Sequence, residues 1–512
     1  MALFQGESAG RSRLFSALVH ANPFTPERLD LERRILGPAF VDAGPAWFLD
    51  PREADEERGN VAALRAVAEG LAEEARAGLA RGVRADPEGL RRYEDLVLYT
   101  LYERFEDRMF RAIVTPGAPE VGGALYEAFR AAYHEALAPA WAVGLPEVPP
   151  ELAFALLWQL RRGFHFIHRR LLGGSPAAAA LRAAVWQSVF THDLGRYRRG
   201  LYGRMHEIPT LILGPSGTGK ELVAEAIGAS RFIPFDPRKR RFEADHAALF
   251  LPVHLAALAE SLVEAELFGH DKGAFTGAHQ ARAGHLEGRD PAFTVFLDEI
   301  GEVPLSLQVK LLRVLQTREF FRVGGTEPRR FEGKVIAATH RDLPERITAG
   351  LFREDLYYRL CADVVRTPSL RELLDGDAAE LERLVSALAA RLVDPEDQAA
   401  LVAEVVAVVE ERLGLAYPWP GNIRELEQCI RNILVRGTYQ PAAAPPPPDP
   451  LGQVAKEFRT GALTEAALLA RYTTLVFAQE GSYEGTARRL QIDRRTVKRR
   501  VDPDLLSALR AE

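Results

Sequence analysis

One short run, Leu211-Ile212-Leu213-Gly214-Pro215-Ser216-Gly217-Thr218-Gly219-Lys220-Glu221, restricts the fold of this chain more than anything else in it. An apolar, β-prone stretch enters a glycine-rich turn, and the helix-forming ELVAEAIGAS follows at once. Glycines let a backbone turn so tightly that several amide N–H groups face one point, and the positive end of the next helix adds to them. Such a turn collects phosphate, with Lys220 reaching the outer phosphates. Gly214, Pro215, Ser216, Gly217, Thr218, Gly219, Lys220 and Glu221 are therefore the expected nucleotide cradle. The generic pattern has Ser or Thr after the lysine, whose hydroxyl helps to hold magnesium; Glu221 stands there instead.

Other short apolar runs have the same texture. PTLILG, TVFLDE and KVIAAT each end in a turn with polar residues, and helical patterns separate them, which predicts a parallel α/β sheet over residues 186–371. TVFLDEIG delivers two adjacent carboxylates, Asp298 and Glu299, at a strand end. That pair suits ATP hydrolysis: Asp298 to hold Mg²⁺ through water, Glu299 to orient the attacking water. ATP and Mg²⁺ are the expected cofactors.

At 512 residues the chain exceeds one core, and 47% hydrophobic with 27% charged residues is ordinary globular composition. A net charge of −6 argues against a protein coated in nucleic acid, yet leaves room for a local basic patch. Cys361 and Cys429 sit in no ligand spacing, so neither a disulfide framework nor a zinc site is expected. With no run apolar enough to span a bilayer and no secretory leader at the start, a cytoplasmic protein without membrane contact is expected.

Residues 1–185 read as helical. Leu98, Tyr102, Phe105 and Met109 share one helical face, and Thr25-Pro26-Glu27 has the form of a helix start with a capping hydroxyl. No alternation of strand and helix marks a receiver domain there, so a helical regulatory or interaction domain is expected. His165 and His168 stand one turn apart, but without further ligands they read as packing or surface residues. Residues 372–438 are helical again, 439–463 form a proline-rich linker, and 464–512 a short basic module.

The run ELFGHDKGAFTGA resembles the signature loop of NtrC-type bacterial enhancer-binding proteins, the sigma-54 branch of the AAA+ ATPases. The resemblance covers residues 186–438 and the C-terminal module. It implies that Gly273, Ala274, Phe275, Thr276, Gly277 and Ala278 contact sigma-54 and move with the nucleotide cycle. It accounts for Glu221, because the phosphate loop of that family reads GKE. It places Thr339 and His340 at the first sensor, Arg353 and Arg359 of GLFREDLYYRL at an arginine finger offered to a neighbouring subunit, and Arg424 of YPWPGNIRELEQ at the second sensor. An arginine supplied across a boundary is worth about 10³ to 10⁵ in rate, so assembly into a ring, a hexamer when active, is implied. On the residues alone, Asn422 also reads as a helix cap with Glu425 three positions on. One departure stands out. The family carries Asn-Cys before Ala-Ala-Leu, whereas here His254-Leu255 precede Ala256-Ala257-Leu258. That asparagine links the catalytic glutamate to ligand state, and a histidine in its place would donate a hydrogen bond whose strength varies with pH.

The chain closes with three helical stretches, EAALLARYTTLVFAQ, EGTARRL and RRTVKRRV, the last two joined by Gln491-Ile492-Asp493. This has helix-turn-helix spacing and resembles the Fis-like module of the same family. Arg494, Arg495, Thr496, Lys498 and Arg499 are the expected contacts to double-stranded DNA at an upstream activating sequence, with dimers on inverted half-sites. Together these implications describe an activator that spends ATP to remodel the closed complex of sigma-54 and RNA polymerase. One alternative is a DNA-binding repressor that keeps the AAA+ fold for oligomerisation with weak or no ATPase. Another is an AAA+ enzyme that remodels other substrates.

Overall fold

The computed structural model describes residues 3–42, 59–115, 123–246, 249–255, 260–275, 278–287, 292–375, 377–441, 464–502 and 505–506. Ala256-Ala257-Leu258, Thr276, Gly277 and nearly all of the expected linker 439–463 lie outside the described residues. The chain divides into two compact units, Met1–Gly437 and Thr438–Glu512.

In the first unit seven helices come first: α1 (Gly6–His20), α2 (Pro26–Leu36), α3 (Gly59–Ala80), α4 (Pro87–Val114), α5 (Ala124–Trp141), α6 (Pro150–Arg170) and α7 (Pro176–Phe190). The expected apolar face of α4 is real: Leu98, Phe105 and Met109 are buried, and Tyr102 packs against the same core. Asp86 caps α4 by accepting the Gly89 amide. Thr25 does precede α2, but its hydroxyl does not cap it; Thr25 Oγ1 donates back to the Asn22 carbonyl instead.

Five parallel strands follow: β1 (Thr210–Leu213), β2 (Phe250–His254), β3 (Thr294–Asp298), β4 (Lys334–Thr339) and β5 (Asp363–Arg366), in the spatial order β2-β3-β4-β1-β5. Alternate residues face opposite sides. Leu211, Val295, Leu297, Val335 and Ala337 pack into one layer. There they meet α10 (Glu260–Phe268), α11 (Leu305–Thr317) and α13 (Glu354–Leu360). Ile212, Phe296, Ile336, Ala338 and Val365 pack into the other, against α9 (Lys220–Ala229). Two short helices, α8 (Leu194–Arg199) and α12 (Leu343–Thr348), complete the set to this point.

That second layer moves the expected boundary at residue 185. Phe24, Leu156, Ile167, Leu171, Val185, Trp186 and Phe190 belong to the same core as the sheet, and α7 runs straight through position 185. The apolar alternation of the strands demands cover on both faces, and α6 and α7 provide it on one. Four helices, α14 (Leu370–Leu374), α15 (Ala378–Ala389), α16 (Pro395–Val408) and α17 (Asn422–Arg436), form the layer beyond the sheet. The division at 371/372 therefore falls inside α14. The fully buried Glu380 of α15 accepts the Gly174 amide at 2.7 Å, which ties this layer to the loop between α6 and α7.

The second unit holds three described helices, α18 (Glu465–Glu480), α19 (Tyr483–Leu490) and α20 (Arg494–Arg500), around Val476, Phe477, Thr486 and Val497.

Candidate functional site

β1 ends at Leu213 and α9 begins at Lys220, so the glycine-rich segment is the crossing between them. A Cβ on Gly214 would sit 2.0 Å from Thr367 Oγ1. Gly217 has φ +76°, and a Cβ there would lie 2.3 Å from the Gly421 carbonyl oxygen. Both positions demand glycine, one against the end of β5 and one against the segment that leads into α17. Thr218 Oγ1 meets Thr367 Oγ1 at 2.7 Å, which stitches the turn to the same place. Thr367 was not foreseen; a lone threonine after a strand gives no sequence signal.

Lys220 is 7% exposed, and its ammonium donates to the Gly214 and Pro215 carbonyls, each at 3.0 Å. Burial lowers its pKa, while the carboxylates of Glu299 and Asp298 oppose the shift. An ammonium held inside a turn and attracted by two carboxylates fits a phosphate group well. So does the cradle itself, whose glycine positions leave room for backbone only.

β3 and β4 bring the remaining groups to the same edge. Asp298 ends β3 beside His254 of β2, its register partner, and His254 Nδ1 lies 3.2 Å from Asp298 Oδ2. Glu299 follows in left-handed backbone, φ +57°, which turns its carboxylate towards β4. Its Oε2 accepts from Thr339 Oγ1 at 3.3 Å and from the His340 amide at 3.3 Å, and meets His340 Nδ1 at 2.8 Å. Among the described contacts His254 does not reach the glutamate. Strand register fixes His254 to the aspartate, and His340 holds the glutamate.

Arg424 lies on the first turn of α17 and reaches Ser216 Oγ at 3.5 Å. Asn422 does not cap α17. At φ +53° it donates to the Ser216 carbonyl at 2.9 Å and accepts the Leu370 amide at 2.8 Å, bridging the phosphate turn and α14. Glu425 instead takes the Gly421 amide and the Tyr417 hydroxyl, both at 2.7 Å. Arg353 stands at the start of α13 and Arg359 on its last turn, and among the described contacts neither meets these groups. Arg353 pairs with its own neighbour Asp355, at 3.0 and 2.7 Å, and Arg359 is exposed. Buried Gln308 of α11 accepts the Arg353 amide at 2.8 Å and donates to the Leu351 carbonyl at 3.0 Å, fixing the backbone at the arginine. Its signal in the sequence was a single amide on the apolar face of α11.

The Gly273 amide donates to the Ala278 carbonyl at 2.9 Å. Phe275 is 41% exposed and leans on His270, ring centres 5.0 Å apart, so it is not tucked into the core. Arg322 braces the base of the turn by pairing with Glu287 at 2.7 Å and Asp271 at 3.3 Å.

In the second unit, Gln491 in left-handed backbone and the Asp493 cap turn the chain between α19 and α20. Arg494, Arg495, Lys498 and Arg499 are exposed and Thr496 half-buried, with Arg494 3.1 Å from Glu484. His165 and His168 join no cluster of three metal-binding side chains among the described residues. They pack on aromatics: His165 on Phe110, His168 on Phe24.

Residues 199–366 match the family model described as the sigma-54 interaction domain. This stretch is similar to a sigma-54 interaction domain. It holds the phosphate turn, Asp298 and Glu299, Phe275, Arg353 and Arg359, on the five-stranded parallel sheet. Sequence relatives extend the likeness. The Nif-specific regulatory protein of Azotobacter vinelandii is 44% identical over 44% of this chain and 39% of its own length. The DNA-binding transcriptional regulator NtrC of Escherichia coli (strain K12) is 41% identical over 52% of each. The anaerobic nitric oxide reductase transcription regulator NorR of Aeromonas salmonicida (strain A449) is 38% identical over 56% of this chain and 57% of its own. The chain thus spans about half the length of such relatives. No helix among the described residues is long and apolar enough to cross a membrane.

Proposed function

We propose that the protein is a sigma-54-dependent transcription activator. It couples ATP hydrolysis to remodelling of the closed complex of sigma-54 RNA polymerase while bound to upstream DNA. One observation carries this reading: within a sigma-54 interaction domain, Lys220, Asp298, Glu299 and Thr339 converge at the same edge of three neighbouring strands. Bound Mg-ATP would supply a phosphoanhydride whose terminal phosphoryl group water can accept. The amides of 214–220 and Lys220 bind and orient its phosphates. Asp298 would hold the magnesium ion through water, and Glu299, released from His340, would take the proton of the attacking water. Arg424 covers the turn from the α17 side. Arg353 and Arg359 point to a neighbouring copy, which makes turnover depend on a ring, a hexamer in the active state. The Phe275–Thr276 turn carries the motion to sigma-54, and α20 lays Arg494, Arg495, Thr496, Lys498 and Arg499 along the major groove. A cytoplasmic setting follows from these partners. The repressor alternative draws no support from the family match or the relatives.

Steady-state ATPase against protein concentration tests the reading. Turnover per subunit should rise cooperatively, and Lys220→Ala should abolish nucleotide binding. Thr276→Ala should keep ATPase while failing to open a sigma-54 promoter. Full promoter opening by Thr276→Ala would overturn the coupling role of the turn.

A further inference from the structure

Between α9 and β2 the chain makes a small antiparallel hairpin, Phe235–Asp236 paired with Arg241–Phe242, whose turn is Pro237, Arg238, Lys239 and Arg240. Its two aromatics point into the helical region. Phe235 lies 4.7 Å from Tyr126 and 5.0 Å from Phe154, and Phe242 lies 4.8 Å from Trp158, ring centre to ring centre. The hairpin is therefore a rigid projection, pinned to α5 and α6 at its base. Its tip holds four consecutive cations, Arg238 to Arg241, all exposed. The acids next to it in sequence are Asp236, Glu243 and Asp245. Asp236 caps the turn, accepting the Arg238 amide at 2.9 Å and the Lys239 amide at 3.0 Å, with Lys239 Nζ at 3.2 Å. Among the described residues the guanidinium groups of Arg238, Arg240 and Arg241 pair with no carboxylate. Arg240 also sits at φ +55°, a conformation that costs a residue with a Cβ about 1 kcal/mol.

We propose that this tip is a contact for the backbone of duplex nucleic acid, separate from the C-terminal helices. Three guanidinium groups without carboxylate partners on a pinned turn concentrate positive charge at one point of the surface. Apart from the exposed Pro237, the tip presents no apolar side chain outward and no aromatic one, since Phe235 and Phe242 face inward. A protein partner would be expected to meet buried aromatic or aliphatic anchors, and a single strand would be expected to meet rings on which to stack. What remains at the tip is three planar guanidinium forks, which suit phosphate oxygens. Such a contact carries no sequence preference.

The test uses the full chain with Arg494, Arg495, Lys498 and Arg499 all changed to Gln, so that the C-terminal contacts are gone. Binding of a random-sequence fluorescent duplex is followed by anisotropy from 50 to 200 mM salt. Three phosphate contacts give log K against log salt a slope of about −2.7, or about a 40-fold loss over that range. Adding Arg238→Gln, Arg240→Gln and Arg241→Gln should remove this residual binding, while Lys at the same three positions should retain it. Unfolding that is unchanged in the Gln variant excludes a folding defect. Equal affinity and slope with and without the three arginines would overturn the proposal. Binding to poly-glutamate but not to the duplex would overturn it in favour of an acidic protein partner. The result does not hinge on the C-terminal reading, because the chain with intact α20 is measured beside it and reports on that reading by itself.

Discussion

Asn422→Ala should loosen the α14–α17 layer from the phosphate turn by a measurable and bounded amount. Asn422 is 3% exposed and holds two partners at once, the Ser216 carbonyl and the Leu370 amide. Alanine leaves the buried Leu370 N–H without an acceptor, which costs about 1–3 kcal/mol. It also places a Cβ without a compensating polar group at φ +53°, a further cost of about 1 kcal/mol. The sum, about 2–4 kcal/mol, corresponds to about a thirty-fold to nearly thousand-fold rise in local opening at 1.4 kcal/mol per factor of ten. Hydrogen exchange of the Leu370 amide, read on peptides covering 368–374, reports that opening directly. Asn422→Asp keeps the acceptor for Leu370 but buries a carboxylate whose second oxygen faces the Ser216 carbonyl, so it should not restore the parent's protection. Protection at Leu370 in the alanine variant within three-fold of the parent, about 0.6 kcal/mol on the same scale, would refute the bridge as the source of the coupling.

Other consequences are simpler. Gly217→Ala drives a Cβ to 2.3 Å from the Gly421 carbonyl in left-handed backbone, so nucleotide affinity by titration should fall at least ten-fold, about 1.4 kcal/mol. Gln308→Leu frees the Arg353 amide and the Leu351 carbonyl. If Arg353 acts across a subunit boundary, turnover should drop about ten-fold or more, equivalent to about 1.4 kcal/mol, with nucleotide binding unchanged; equal loss of both would remove Gln308 from that role. Burial, with the Arg161 charge beside it, holds the His165 pKa down at about 4. The unfolded chain therefore takes up this proton before the folded one as pH falls through 6.5, and stability drops from there to about 4. His165→Phe should flatten that part of the denaturant-midpoint profile, and an unaltered profile would assign the slope to other groups.

The parts of this molecule that could be read from sequence are those that local chemistry fixes. The phosphate turn needs glycine where the backbone reverses, and Asp298 and Glu299 follow their strand directly. The three C-terminal helices carry their own caps at Thr464, Ser482 and Asp493. Apart from Thr25, whose hydroxyl turns back to nearby Asn22, the misreadings involve partners distant in sequence. Asn422 has the spacing of a cap, yet it is spent on Ser216 and Leu370. What His254 does in place of the asparagine depends on strand register, which sets it beside Asp298. The helix α7 looked like the end of a separate domain because its sequence is simply apolar. Only the second face of the sheet, which needs cover, reveals where it belongs.

The hairpin at 235–242 changes what counts as one heritable piece of this protein. The aromatic core of the front helices is encoded in two stretches, the helices themselves and Phe235 with Phe242, which lie beyond the phosphate turn. A recombination event that exchanged residues 1–185 for another sensor would split α7, strip cover from the sheet and leave two phenylalanines without their cavity. Front modules of this kind cannot be swapped like beads on a string. They must change by substitution, in step with a hairpin on the far side of the nucleotide cradle.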